Sequence, residues 1–148
     1  MYLTIEAFFD EADKRYLTGD ELKILGRYTL SLPQRLAMYR QIREQELEIF
    51  QAIADQLEAK LPQETQENLE RSLKTGIASL RQCAMAMLVN DVGLIDDQRR
   101  WLLATQANYD CRALDVLLFS LLHQQLERRL TPKQFKFFGL FYQPFQTL

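Results

Sequence analysis

The sequence predicts an all-α protein of one domain, and three observations support this. Only 5 glycines and 4 prolines occur among 148 residues, which argues against a loop-rich β fold. Apolar residues recur at helical spacing along several segments, and helix-start signals precede these segments. No segment has a convincing strand pattern. A chain of this length is therefore expected to form a single domain over residues 1–148.

The helices follow in order from their start signals. Thr18, with Glu21 three residues later, forms a capping box that separates a first helix from a second. Ser31 is predicted to be a further N-cap, with Pro33 in the first turn of a long helix, where its missing N–H does no harm. These signals divide the domain into an N-terminal helical hairpin over 1–30 and a core over 31–148. The predicted helices span about 3–14, 19–29, 31–60, 66–89, 96–109, 112–129, and 131 onward.

Three features indicate where the core lies. Gly76 interrupts the apolar stripe of the fourth helix, where it permits close approach by another helix or by a flat ligand. The helix over 112–129 is apolar nearly all round, which is typical of a central helix. Six aromatic side chains crowd the C-terminal segment, and they either close the core or form a partner-binding surface. They are Phe135, Phe137, Phe138, Phe141, Tyr142 and Phe145.

Composition excludes several classes of protein. The net charge of −2 argues against a general nucleic-acid binder, which needs a basic surface. Acidic residues early in the chain argue against a secretory signal, and the uncharged stretch 116–126 is too short to span a bilayer. We therefore expect a soluble, cytoplasmic protein. The 2 cysteines and 1 histidine exclude a disulfide scaffold and a multi-histidine metal site.

Few residues offer independent chemistry. Cys83 is predicted to be a small buried hydrophobic residue. Cys111 is expected to be exposed at a helix junction, either as a surface thiol without a role, which is favoured, or as a reactive thiol whose pKa Arg112 lowers. His123 is either a hydrogen-bonded core residue or, less favoured, a haem ligand of the globin type. No arrangement suggests a catalytic nucleophile, so the sequence predicts that the protein is not an enzyme.

Two blocks of the sequence resemble phycobiliprotein subunits. The first block is residues 12–22, ADKRYLTGDEL, where family members have Ala-Asp, Arg-Tyr, then Thr and Glu-Leu between two short helices. The second is SLKT at 72–75 followed by Leu-Arg at 80–81, where family members carry Cys-Leu-Arg-Asp and then Leu-Arg. The resemblance spans most of the chain. It implies a globin-like fold with two extra N-terminal helices.

The resemblance also implies a changed ligand site. Family members attach a linear tetrapyrrole (bilin) through the cysteine, and Ser72 stands at that position here. Serine is a poor nucleophile at neutral pH, so covalent attachment is expected to fail. Thr75 replaces the aspartate that binds the pyrrole nitrogens. Arg71 and Lys74 remain as cations for the propionates, which leaves non-covalent binding of phycocyanobilin or biliverdin as the expectation.

The family's subunit interface is better retained. An N-terminal aspartate of one subunit pairs with the arginine of Leu-Arg in its partner, and both occur here as Asp13 and Arg81. The resemblance implies a two-fold homodimer that forms both pairs reciprocally. Arg15 and Tyr16 belong to the same predicted interface, in which apolar contacts supply most of the affinity.

Together these observations favour a non-antenna relative of the phycobiliproteins, similar to the bilin biosynthesis-associated globins of cyanobacteria. Its predicted role in photosynthesis is to bind a bilin without a covalent bond, or to bind a partner protein of bilin synthesis. A ligand-free structural or regulatory protein of the phycobilisome, at the thylakoid surface, is the alternative. A haem-binding sensor through His123 is the second alternative. Attachment of a bilin to Cys83 or Cys111 is the least favoured.

Overall fold

A computed structural model of the protein describes residues 5–146, which form helices joined by short connections. These residues contain no strand, so the all-α prediction is confirmed. None of the helices among them is long and apolar enough to cross a membrane. The helices are α1 (Ile5–Ala12), α2 (Gly19–Lys60), α3 (Gln66–Val89), α4 (Gly93–Asn108), α5 (Arg112–Arg129) and α6 (Pro132–Gln146).

The largest departure from the predicted elements is in α2. The prediction of two separate helices over 19–29 and 31–60 is wrong. The α2 helix is continuous through both ranges and is about 63 Å long. Ser31 is therefore not an N-cap, and Pro33 lies inside the helix. Smaller differences concern α1, which ends at Ala12 rather than near 14, and α4, which begins at Gly93 rather than at Asp96. The predicted start of the first helix, at about 3, lies outside the described residues.

Side-chain hydrogen bonds accompany the proline in α2. Pro33 has no N–H to donate to the preceding turn. Near it, the Tyr28 carbonyl accepts hydrogen bonds from the Ser31 hydroxyl at 3.0 Å and from Arg35 Nη2 at 2.9 Å. The guanidinium of Arg35 also lies over the Tyr28 ring, 4.2 Å from its centroid. These contacts keep the turn around the proline helical.

Arg35 also fastens α2 to the end of α3. Its Nη1 donates to the Leu88 carbonyl, one of the last carbonyls of α3, which has no partner within the helix. Its Nε donates to the Ser31 hydroxyl at 3.0 Å. A cation at a helix C-terminus is favourable because it faces the negative end of the helix dipole. Arg35 is thus fully buried with its donors used, although no carboxylate pairs with it.

The core lies between the second part of α2 and helices α3, α5 and α6. The α5 helix is central as predicted, and it packs against α2, α3 and α6. The α6 helix completes the core with four of the six aromatic side chains of the C-terminal segment. The buried ones are Phe138, Phe141, Tyr142 and Phe145, whereas Phe135 and Phe137 are partly buried.

Gly76 is a point of close helix packing. A Cβ at this position would lie 2.6 Å from Leu118 Cδ2 and 3.0 Å from Phe50 Cε1, both from buried side chains. The packing interpretation of this glycine is therefore supported. At Gly26, by contrast, no atom lies within 4 Å of an added Cβ.

This contrast predicts opposite effects of the same substitution. Gly26→Ala is expected to raise the free energy of unfolding by about 1 kcal/mol, because alanine is the better helix former. Gly76→Ala gains the same propensity but overpacks the core, so we expect a net loss of about 1 kcal/mol. Urea unfolding of the two variants measures the difference directly. Equal stabilisation by both would contradict the close packing at Gly76.

The arm, defined as residues 5–34, stands apart from the core. No side chain from Gly19 to Gln34 is buried, and the buried positions of α2 begin at Arg35. Its best-formed local structure is the predicted capping box at Thr18 and Glu21. The Glu21 carboxylate also accepts two hydrogen bonds from the Arg15 guanidinium, at 2.7 and 3.0 Å.

These contacts predict the pH dependence of the arm. Hydrogen bonds from Arg15 and from the Thr18 backbone lower the pKa of Glu21 from 4.5 to about 2. A lowered pKa in the folded state means that the stabilisation is complete above pH 4.5 and is lost as the pH falls towards 2. We expect carboxyl NMR titration to place the Glu21 midpoint near 2, and Arg15→Ala to raise it. A wild-type midpoint near 4.5 would show that the contact is absent.

Candidate functional site

A buried polar cluster joins three helices around Asp115. The carboxyl Oδ1 accepts a hydrogen bond from the Ser72 hydroxyl of α3 at 2.5 Å. Its Oδ2 accepts from Gln106 Nε2 of α4 at 3.1 Å and from the Cys111 thiol at 3.6 Å. Asp115 is only 3% exposed and Ser72 only 1%. We call these four residues the Asp115 cluster.

Local structure explains how these side chains meet. The connection from α4 to α5 is short, and within it the Cys111 N–H donates to the Tyr109 carbonyl at 2.9 Å. Cys111 is the N-cap of α5 but makes no side-chain cap, so its thiol is available to Asp115 in the first turn. Gln106 lies in the last turn of α4, which brings its amide to the same carboxyl group.

A cation flanks the cluster on its outer side. The guanidinium of Arg71, next to Ser72 in α3, lies 4.2 Å from the centroid of the Tyr109 ring. It also donates to Asn68 Oδ1 and Glu67 Oε1, both at 3.0 Å. Arg71 is half-buried, and it holds the α4–α5 connection against α3 by a cation–π contact.

The four residues predicted to bind a cofactor differ in their exposure to solvent. Ser72 and Thr75 are buried, and the Thr75 hydroxyl donates to the Arg71 carbonyl at 3.0 Å within its own helix. Lys74, three residues after Arg71 in the same helix, is exposed. Only Ser72 belongs to the Asp115 cluster, with Arg71 beside it and Lys74 facing solvent.

The predicted interface residues lie on the surface. Asp13 is exposed, and Tyr16 is 97% exposed. Arg15 is ion-paired with Glu21, as described above, and also contacts Glu11. The exposed Arg81 forms hydrogen bonds of 2.6, 3.0 and 3.1 Å with Glu46 of α2 in the same chain. Both arginines therefore have carboxylate partners within one chain.

One prediction about the cysteines is wrong. Cys111 is buried rather than exposed, and burial and the nearby Asp115 raise the pKa of its thiol. Arg112 therefore does not produce a reactive surface thiol at this position. Cys83 is fully buried as predicted, and burial likewise raises the pKa of its thiol.

His123 is surrounded by aromatic rings of α6. The Phe135 ring meets it edge-on with the centroids 5.1 Å apart, and the Tyr142 ring lies nearly parallel to it at 6.3 Å. The imidazole is half-buried at the edge of the core. These contacts are typical of a residue at the edge of the core. The sequence favoured such a role for His123 over that of a haem ligand.

Sequence reasoning did not identify Asp115 or Gln106. A signal was present for Asp115, because it is the single charged residue in the apolar segment 113–122. Such a residue in a central helix must find hydrogen-bond partners in the core. Gln106 carried no comparable signal, since glutamine is common on exposed helix faces.

The fold and the cluster define an all-α protein with a buried polar site beneath a helix connection. Comparison of the chain with protein-family models gives no match. Comparison with curated proteins also gives none.

Proposed function

We propose that this protein binds a bilin non-covalently at the Asp115 cluster, as a non-antenna relative of the phycobiliproteins. The observation that carries this proposal is the buried Asp115 carboxyl at 2.5 Å from Ser72. Ser72 holds the position of the attachment cysteine in the resemblance described above. In this proposal, Asp115 accepts hydrogen bonds from the pyrrole nitrogens in place of the family aspartate, whose position Thr75 holds here.

The chemistry of the surrounding residues supports the same ligand. A bilin carries pyrrole N–H donors and two propionates, so it needs an internal acceptor and external cations. Asp115 would supply the acceptor, and Arg71 and Lys74 would supply the cations. Ser72 would donate a hydrogen bond but form no thioether, so the complex would be reversible.

Binding would require the α4–α5 connection to move away from Asp115. Asp115 accepts hydrogen bonds from Gln106 and Cys111, and the Tyr109 ring covers Arg71. A ligand that reached Asp115 would displace the α4–α5 connection and replace the Gln106 hydrogen bond with its own. The α4 helix places two side chains in the core, Ile95 and Leu102, so its displacement exposes fewer core side chains than that of α3 or α5 would.

Absorption spectroscopy tests this proposal. We expect phycocyanobilin or biliverdin to produce saturable, red-shifted absorbance that denaturation abolishes. Lys74→Gln is expected to weaken binding about threefold, whereas Lys133→Gln, an exposed lysine on α6, leaves it unchanged. If the bilin spectrum does not change, the ligand proposal fails. Binding of a partner protein of bilin synthesis, or a ligand-free structural or regulatory role at the phycobilisome, then takes its place.

Hemin is the second ligand to be measured. A Soret band that His123→Ala removes would favour the haem-sensor alternative, since His123 is the single histidine of the chain. The contacts of His123 with Phe135 and Tyr142 favour the opposite result, which is no specific band.

A homodimer through the arm is the second proposal. Its support is a series of exposed apolar side chains on an arm that has little contact with the core. Tyr16 is 97% and Leu30 is 83% exposed, and Phe9, Leu22 and Ile24 are also exposed. Apolar area of this kind is stabilised by burial against another surface. A second copy would meet it symmetrically, with Asp13 exchanging for Glu46 as a partner of Arg81.

Sedimentation analysis with matched variants tests the dimer. Leu30→Asp is expected to weaken association at least tenfold, whereas Leu47→Asp, equally exposed at 79% on the core part of α2, has no effect. Asp13→Arg should also weaken association, and adding Arg81→Asp should restore part of it. A chain that is monomeric at every concentration would overturn the proposal.

A further inference from the structure

The segment around Ser31 and Pro33 combines an intact helix with the signals of a helix start. We infer that α2 has a built-in hinge, at which the helix opens between Leu30 and Ser31 and the arm changes direction. In the opened form, Ser31 and Gln34 form a capping box for the part of α2 that belongs to the core. This inference concerns α2 alone and is independent of the proposed bilin site.

The first support comes from helix starts elsewhere in the same chain. At the start of α6, Thr131 and Gln134 form both hydrogen bonds of a capping box, at 3.0 and 3.2 Å, with a proline between them. The segment SLPQ at 31–34 has the same pattern: a hydroxyl residue, a proline in the first turn, and glutamine three residues later. The chain therefore carries inside α2 a sequence that begins a helix when it is free to do so.

The second support is the position of the hinge between two unlike parts of α2. Every described side chain from Gly19 to Gln34 is at least partly exposed, and burial begins at Arg35. Opening the helix at Ser31 therefore exposes no core side chain. Pro33 contributes no backbone hydrogen bond in the continuous form, so this turn has one backbone hydrogen bond fewer to lose than any other turn of the helix around it.

The third support is a set of contacts that can exchange between the two forms. In the continuous form, the Ser31 hydroxyl donates to the Tyr28 carbonyl, and Arg35 holds both that carbonyl and the Tyr28 ring. In the opened form, the hydroxyl would instead accept from the Gln34 N–H. Arg35 would keep its bond to Leu88 of α3, because both residues lie on the core side of the hinge. The Arg35–Tyr28 contact thus stabilises the continuous form and is lost when the helix opens.

Distances between spin labels test the hinge. Labels at Asp20→Cys and Glu58→Cys are about 57 Å apart in a continuous helix, at about 1.5 Å per residue. We expect a second, shorter distance in the wild-type background, which Pro33→Ala removes and Gln34→Ala diminishes. Labels at Arg40→Cys and Glu58→Cys lie on one side of the hinge, and they should give a single distance of about 27 Å.

Two measures keep the result unambiguous. Native cysteines are buried, and the chain without introduced cysteines measures any labelling of them. Dilution with unlabelled protein removes distances between copies, so dimer formation does not imitate the hinge. Tyr28→Leu, which removes the ring contact with Arg35, is expected to increase the shorter distance. A single distance near 57 Å that is unchanged in Pro33→Ala and Tyr28→Leu would overturn the inference.

Discussion

Arg35→Met is expected to lower the free energy of unfolding by about 3 kcal/mol. Arg35 is fully buried and donates to the carbonyls of Leu88 and Tyr28 and to the Ser31 hydroxyl. Methionine fills much of the same volume but donates nothing, so these buried acceptors lose their side-chain partner. The end of α3 also loses the cation that faces its dipole.

Matched variants separate this effect from the loss of any arginine. Arg40→Met removes an exposed arginine from the same helix and is expected to change stability by less than about 0.5 kcal/mol. Arg35→Lys keeps the charge but lacks the planar fork, so we expect a loss between these two values. Urea unfolding at one pH measures all three. Equal stabilities of Arg35→Met and Arg40→Met would show that the buried contacts contribute nothing.

Asp115→Ala is expected to lower the free energy of unfolding by about 3 kcal/mol, because it too removes several buried hydrogen bonds. The Ser72 hydroxyl, the Gln106 amide and the Cys111 thiol all donate to this carboxyl. Its removal leaves these donors in a buried site without an acceptor, and it also leaves a small cavity. Asp110→Ala removes an exposed carboxylate five residues earlier, so it should be nearly neutral.

A double-mutant cycle isolates the central contact of the cluster. Ser72→Ala alone is expected to destabilise, because Asp115 loses its closest donor. The double variant Ser72→Ala with Asp115→Ala should lose less free energy of unfolding than the two single variants lose together. We expect the difference to be about 1–2 kcal/mol. Strict additivity would mean that the two side chains do not interact. A further variant, Asp115→Asn, serves in bilin titration, where loss of binding by the folded chain supports the proposed site.

The two largest effects have one physical origin. Arg35 and Asp115 are both buried ionisable side chains that are satisfied by neutral groups rather than by each other or by a salt bridge. Each joins helices that are distant in sequence, α2 with α3 in one case and α3, α4 and α5 in the other. A substitution at either position therefore removes several contacts at once, which surface substitutions do not.

The sequence predicted contacts between residues that are close along the chain better than contacts between distant residues. The capping box of Thr18 and Glu21 was predictable because its partners are three residues apart. The limits of α3 and α5 followed from the spacing of apolar residues, and those limits are confirmed. The predicted exposure of Cys111 was wrong, because its position at a helix junction beside charged residues said nothing about its burial by other helices.

By itself, the sequence determined the all-α class, the helices of the core, the central position of α5 and the burial of Cys83. These properties depend on local propensity and on the period of apolar side chains, which can be read along the chain. Only the tertiary structure decided that α2 continues past Pro33, where Ser31 and Arg35 both donate to the Tyr28 carbonyl, and that Arg35 is buried against the Leu88 carbonyl of α3. It also decided that Ser72 and Asp115 meet, since hydrogen bonds across a core depend on packing between helices rather than on neighbours in sequence.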